Sequence, residues 1–149
     1  MSLWDNTNKM LLIVEYSSID QVNEFREGMK SSGVNINRSN ILAIVNSKTE
    51  MKRLTEIHSV TYVSNKDISF IGRLKNDRVS KVLSEYYDML IVIGHTNRKI
   101  SRLTRKVKRN TAVGVNSNLE FLTINMNSES SSPLQLLNFA KETLQKIRN

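Results

Sequence analysis

An α/β fold, a three-layer sandwich around a mainly parallel sheet of five or six strands, is what this sequence predicts. Short apolar runs such as Met10 to Val14 and Met89 to Ile93 are continuous rather than alternating, as in strands buried on both faces. Between such runs, apolar residues recur at helical spacing. Strands separated by helices pair in parallel through right-handed crossovers. A flavodoxin-like strand order is expected, with a Rossmann-like order as the rival.

The elements follow in order. Lys9 to Tyr16 reads as the first strand. Ser18 offers a helix cap with Gln21 three residues on, the capping-box spacing. Ile19, Val22, Phe25 or Arg26, and Met29 follow at helical spacing, and Gly33 can close the helix. Ile41 to Val45 is the second strand, and Ser47 with Glu50 caps a helix bearing Met51, Leu54 and Ile57. Val60 to Val63 is a short third strand. The stretch from Ser64 to Asn76 has no clear period, and Asp77 to Tyr87 is helical again. Met89 to Ile93 is the fourth strand, ended by Gly94. Asn97 caps a helix whose apolar side is Ile100, Leu103 and Val107. Thr111 to Val115 is the fifth strand, and Leu119 to Met126 a sixth strand or extended edge. Ser132, Pro133 and Gln135 open a last helix lined by Leu137, Ala140, Leu144 and Ile147, with proline in the first turn where its missing N–H is harmless. Residues 1–8 are polar and read as a flexible lead-in to a single domain over 9–149.

Composition narrows the chemistry. The chain has 149 residues, no cysteine and a net charge of +8. A thiol nucleophile, a disulfide framework and cysteine-based metal sites are therefore excluded. The cysteine-free composition fits a reducing, cytoplasmic setting. No apolar run approaches the ~20 residues that cross a bilayer, and no apolar leader precedes the first strand. The five glycines form no phosphate-binding or dinucleotide motif. His58 and His95, the only histidines, fall on different elements, which argues against a histidine metal site. No nucleophile elbow accompanies either one. No cofactor or metal is expected, and the balance leans away from an enzyme. Nothing in the sequence fixes an oligomeric state.

From Asn65 onward the chain resembles an uncharacterised family of small bacterial proteins found mainly in the Bacteroidetes. The residues that carry the likeness are Asn65-Lys66-Asp67-Ile68-Ser69-Phe70-Ile71-Gly72-Arg73-Leu74-Lys75, then Tyr87-Asp88-Met89-Leu90-Ile91 and Ala112-Val113-Gly114. Relatives tend to carry two aromatics where Phe70 and Ile71 stand, so this member departs there. The resemblance implies no established activity, and no catalytic residue is carried over from it.

Three places have the residues for a site. Arg98, Arg102, Arg105 and Arg109 recur at spacings of four, three and four, flanked by Lys99 and Lys106, and no acid occurs between Asp88 and Glu120. Like charges at that spacing destabilise a helix by ~0.2–0.5 kcal/mol per pair, so a purely structural helix usually interleaves glutamates. Arginine pairs bidentately with phosphate. The stripe reads as a surface for a polyanion, RNA or DNA, or for another acidic partner; the alternative is a solvated face, with or without acids from elsewhere in the fold beside it. The second place is the Ser64–Asn76 stretch, where Lys66, Asp67, Ser69, Phe70, Gly72 and Lys75 mix charge with an aromatic. It can hold a base or simply plug the edge of the core. The third is the carboxyl edge of the sheet, where open α/β folds bind ligands. Ser17, Ser18, His95, Thr96, Asn97 and Asn116 collect there. They either hold a small phosphorylated ligand or only cap their helices.

Overall fold

The computed structural model describes residues 1–46, 54–68 and 74–148. Six strands form one sheet: β1 (Met10–Glu15), β2 (Asn40–Ile44), β3 (Val60–Val63), β4 (Tyr86–Ile93), β5 (Lys108–Val115) and β6 (Ile124–Met126). All neighbours are parallel, in the order β3-β2-β1-β4-β5-β6. This is the Rossmann-like order, not the flavodoxin-like one. The third strand adds outside β2, and the chain then crosses back over residues 64–85 to lay β4 along the other edge of β1. Strand length carries a trace of this. β3 and β6 have 4 and 3 residues and lie at the two edges, where short strands limit unwanted pairing; β4 and β5 have 8 each.

Among the described residues, four α-helices cover the sheet. On one face lie α1 (Ile19–Ser31) and α4 (Pro133–Gln145), which pack on each other. They bury Phe25, Met29, Leu137 and Leu144 against Met10, Leu12, Ile91 and Val113. On the other face lie α2 (Asp77–Ser84) and α3 (Arg98–Arg105), whose Val79, Val82, Ile100 and Leu103 pack with Leu11, Ile13, Leu90 and Val92. Successive residues of β1 and β4 thus serve opposite cores, which is why their apolar runs are unbroken. Next to β6, Gly114 has no space for a side chain: a Cβ there would lie 2.8 Å from Asn125 Oδ1.

Local capping largely follows the sequence. Ser18 Oγ accepts from the Gln21 N–H, and the Gln21 side chain bonds back to Ser17 and Glu15. At α4, however, the Ser132 hydroxyl makes no cap bond. Ser130 replaces it, bonding Gln135 Oε1 and accepting from the Ser132 N–H. Further corrections concern ends. α2 stops at Ser84, because Tyr86 and Tyr87 pair with Lys108 and Arg109 and open β4. The Tyr87 hydroxyl donates back to the Val82 carbonyl and accepts from Asn40 Nδ2. Burial, above all, raises its pKa, so it stays a neutral donor. Leu119 to Thr123 is not strand; only Ile124–Met126 pairs with β5. The cap at Ser47 and Glu50, with Met51, lies outside the described residues, and Leu54 and Ile57 lie in non-helical chain.

Residues 1–8 are no loose lead-in. Trp4 is buried in the α1–α4 core, and its indole N–H donates to the Ser32 carbonyl. The Leu3 N–H donates to the Ile147 carbonyl, and Ser2 bridges to Arg148. A polar composition hid one large apolar anchor.

Candidate polyanion interface

α3 begins where Asn97 Oδ1 accepts from the Ile100 N–H. Ile100 and Leu103 point into the core, and Thr104 is buried with its hydroxyl on the Ile100 carbonyl. That leaves Arg98, Arg102 and Arg105 exposed on the outer side. The helix ends at Arg105, with Lys106 as its exposed C-cap.

Arg109 therefore belongs to β5, not to the helix. Its guanidinium donates to the Arg105 and Val107 carbonyls at 2.7 and 2.9 Å and lies 5.0 Å from the centre of the Phe121 ring. A cation on the last carbonyls of a helix offsets its dipole and supplies missing donors. Arg109 is held at the end of the helix, and three of the four arginines lie on the helix itself. Arg109→Ala is expected to cost about 1 kcal/mol of stability in urea unfolding, whereas Arg102→Ala stays within ~0.5 kcal/mol.

Facing α3 is the segment that leaves β5. Asn118 exchanges hydrogen bonds with the backbone of Thr96, at 3.0 and 3.1 Å. Leu119 is buried, and the Thr123 N–H returns to the Ala112 carbonyl. Between this segment and α3 runs a groove of about 580 Å³. Arg98, Arg102 and Arg105 line one side, and Asn118, Glu120 and Phe121 the other. Arg105 also lies over the Phe121 ring, at 5.6 Å, a cation–π contact that holds the guanidinium in place.

Among the described residues, none of Arg98, Arg102, Arg105 and Lys106 has a carboxylate within 4.0 Å; the three ion pairs, Lys9–Glu85, Arg26–Glu27 and Arg78–Glu56, lie elsewhere. The stripe is thus not paired with acids among the described residues, and the alternative to a binding surface is a solvated face. Lys99 turns away, with Nζ 3.4 Å from the Ile68 carbonyl.

That contact joins α3 to the Ser64–Asn76 stretch. Asn65 to Asp67 form one 3₁₀ turn, closed by the Asp67 carboxylate on the Ser64 N–H. Ile68 and Leu74 bridge antiparallel, and the Lys75 N–H donates to the Asp67 carbonyl. Ile68 is buried and Leu74 packs against the same core, so these two plug the edge. Asn65 Oδ1 accepts from Asn97 Nδ2. Ser69, Phe70 and Gly72 lie outside the described residues.

Of the carboxyl-edge residues, His95, Thr96 and Asn97 line one cleft, while Ser17, Ser18 and Asn116 are not among its lining residues. Ser18 and Asn97 cap α1 and α3, the Thr96 hydroxyl bonds Ser101, and Ser17 bonds Gln21 through its N–H. Asn116, at φ +55°, spends both ends of its amide on the Ser128 backbone, 2.8 and 2.9 Å away. His95 is exposed beside a cleft of about 210 Å³ shared with Glu15 and Asn46. Glu15 accepts from Asn46 there, and its carboxylate repels an anionic ligand. A further hollow of about 290 Å³ at the amino edge holds Arg38, Arg78 and Lys81, but Arg78 is already engaged by Glu56. No group of three or more metal-ligating side chains occurs among the described residues, and no helix among them is long and apolar enough to cross a membrane.

Sequence patterning missed Phe121, Glu120 and Asn118. Glu120 and Phe121 fall in the run expected as a sixth strand or extended edge, which pairs only from Ile124, and Asn118 lies just before that run. The one available signal was an aromatic beside an acid just after an acid-free basic stretch.

Comparison with known proteins adds family and fold. The family of unknown function DUF6913 matches residues 4–147, well beyond the part from Asn65 onward. No curated protein matches the chain. Among solved structures, the glycosyl transferase family 9 protein from Veillonella parvula DSM 2008 is similar at a TM-score of 0.57 and 13% identity. The likeness covers 91% of this chain and 41% of that one. This chain thus spans about two fifths of that protein, and the likeness is one of fold alone.

Proposed function

On the premise that this chain belongs to the DUF6913 family, which fixes no activity, we propose that it is a non-enzymatic binding module for a polyanion, RNA or DNA. The observation that carries this reading is the groove beside α3, where Arg98, Arg102 and Arg105 stand without carboxylate partners among the described residues. Like charges held close and unpaired favour a ligand that neutralises them. A net charge of +8 favours anionic partners in the same way. A small phosphorylated ligand at the carboxyl edge is the weaker reading, because His95 shares its cleft with Glu15.

Binding falls with salt. Three phosphate contacts give a log–log slope of about −2 on single strands, from ~−0.7 per contact. Replacing Arg102 and Arg105 together with glutamate weakens binding about tenfold or more at low salt and flattens that slope. The helix stays folded, since Ile100 and Leu103 are untouched. Fluorescence anisotropy across a salt series, with thermal melting as the folding control, checks both points. A wild-type protein with no affinity for RNA or DNA at low salt overturns the reading.

A further inference from the structure

The groove is not uniformly basic. Glu120 lines it together with Arg98, Arg102 and Arg105, and it is exposed. Among the described residues it has no ion-pair or hydrogen-bond partner, although three guanidinium groups line the same concavity. A plain polyanion meets attraction on one side of such a groove and repulsion on the other. A ligand that displaces solvent from this exposed carboxylate must bring hydrogen-bond donors beside its negative charge, or it leaves a desolvated charge unpaired. Fully ionised phosphate and polyphosphate carry no such donors. A nucleotide has both: phosphates for the arginines and base N–H groups for the carboxylate.

Base chemistry narrows the ligand further. Guanine offers N1–H and the N2 amino group side by side, a spacing that both oxygens of one carboxylate accept. Adenine and cytosine offer one amino group beside a ring-nitrogen acceptor. Uracil and thymine offer one N–H flanked by two carbonyls, which repel a carboxylate. Those guanine donors lie on the Watson–Crick edge, which a duplex occupies and a single strand leaves free. The groove of about 580 Å³ lies between α3 and the Asn118–Phe121 segment, so one ligand there reaches the arginines and Glu120 together. Arg105, supported by Phe121, presents a guanidinium plane on which a base can stack.

We propose that the groove takes single-stranded nucleic acid and that Glu120 selects guanine in it, resting on the polyanion reading above. Glu120 accepts from guanine N1–H and N2–H while Arg98 and Arg102 hold the flanking phosphates. Asn118 takes no part in reading the base, because its amide is committed to the Thr96 backbone.

The test is anisotropy at low salt with labelled uridine hexamers carrying one central guanine, adenine or inosine, and with the guanine hexamer annealed to its complement. Wild type is expected to bind the guanine hexamer at least fivefold more tightly than the adenine one, as one bidentate base contact allows. Inosine, which lacks the N2 amino group, falls between them, and the annealed form binds more weakly than the single strand. Glu120→Gln removes the guanine preference and raises affinity for the all-uridine hexamer, because a repulsive charge has left the groove. The exposed position of Glu120 makes this variant fold like wild type, which thermal melting checks. Equal binding of the hexamers by wild type, or an unchanged ranking in Glu120→Gln, overturns the role of Glu120. In that event, salt-dependent binding that is still lost in the Arg102/Arg105 variant leaves the polyanion reading standing. Absence of binding to every hexamer overturns both.

Discussion

Ile91→Asp is expected to abolish soluble expression of folded protein. Ile91 sits on β4, paired in register with Leu12 of β1 on one side and Val113 of β5 on the other. Its side chain is fully buried in the core beneath α1 and α4. No basic residue is buried among the described residues, so a carboxylate there is either unpaired or protonated. Burying an uncompensated charge costs several kcal/mol, against a total stability of ~5–15 kcal/mol for an ordinary domain. Ile91→Val, the control, loses only one methyl group and costs ~0.5–1.5 kcal/mol. Comparing the soluble fractions of the two, with circular dichroism of whatever remains soluble, separates charge from volume. A soluble Ile91→Asp protein with a cooperative melt would mean that the sheet is open to water on that side.

The second large effect is at the chain start. Trp4→Ala is expected to lower stability by ~3–5 kcal/mol, the usual cost of truncating a buried aromatic. It removes a side chain only 4% exposed and the indole hydrogen bond to the Ser32 carbonyl at the end of α1. It also loosens the bonds that tie Leu3 to Ile147 and Ser2 to Arg148. For a domain of this size the melting temperature falls by roughly 10 °C. Trp4→Phe keeps most of the apolar area and loses the hydrogen bond, about 1 kcal/mol. Calorimetry of the three proteins gives the order wild type, Trp4→Phe, Trp4→Ala. A Trp4→Ala melt within ~2 °C of wild type would return residues 1–8 to the status of a free segment.

The two arginines that end the basic run show where local reading stops. Arg105 and Arg109 share the spacing of the stripe, and nothing local separates them. What separates them is that Tyr87 pairs with Arg109 across β4 and β5. That pairing ends the helix before Arg109 and sends its guanidinium to the carbonyls of Arg105 and Val107. The same limit hid the groove. Glu120 and Phe121 face α3 only because the chain leaving β5 doubles back along it, with Thr123 bonded to Ala112.

By itself the sequence determined the kind of elements and most of their starts. Burial on both faces leaves an unbroken apolar run, and a cap is a bond between residues three apart, as at Ser18 with Gln21 and Asn97 with Ile100. Only the tertiary structure decided the strand order, the burial of Trp4, the end of α3 and the meeting of Glu120 with the arginines. Each of these depends on contacts between residues distant along the chain, such as Met10 with Met89 or Trp4 with Ser32. Composition and period report the environment a residue requires, not which distant segment supplies it.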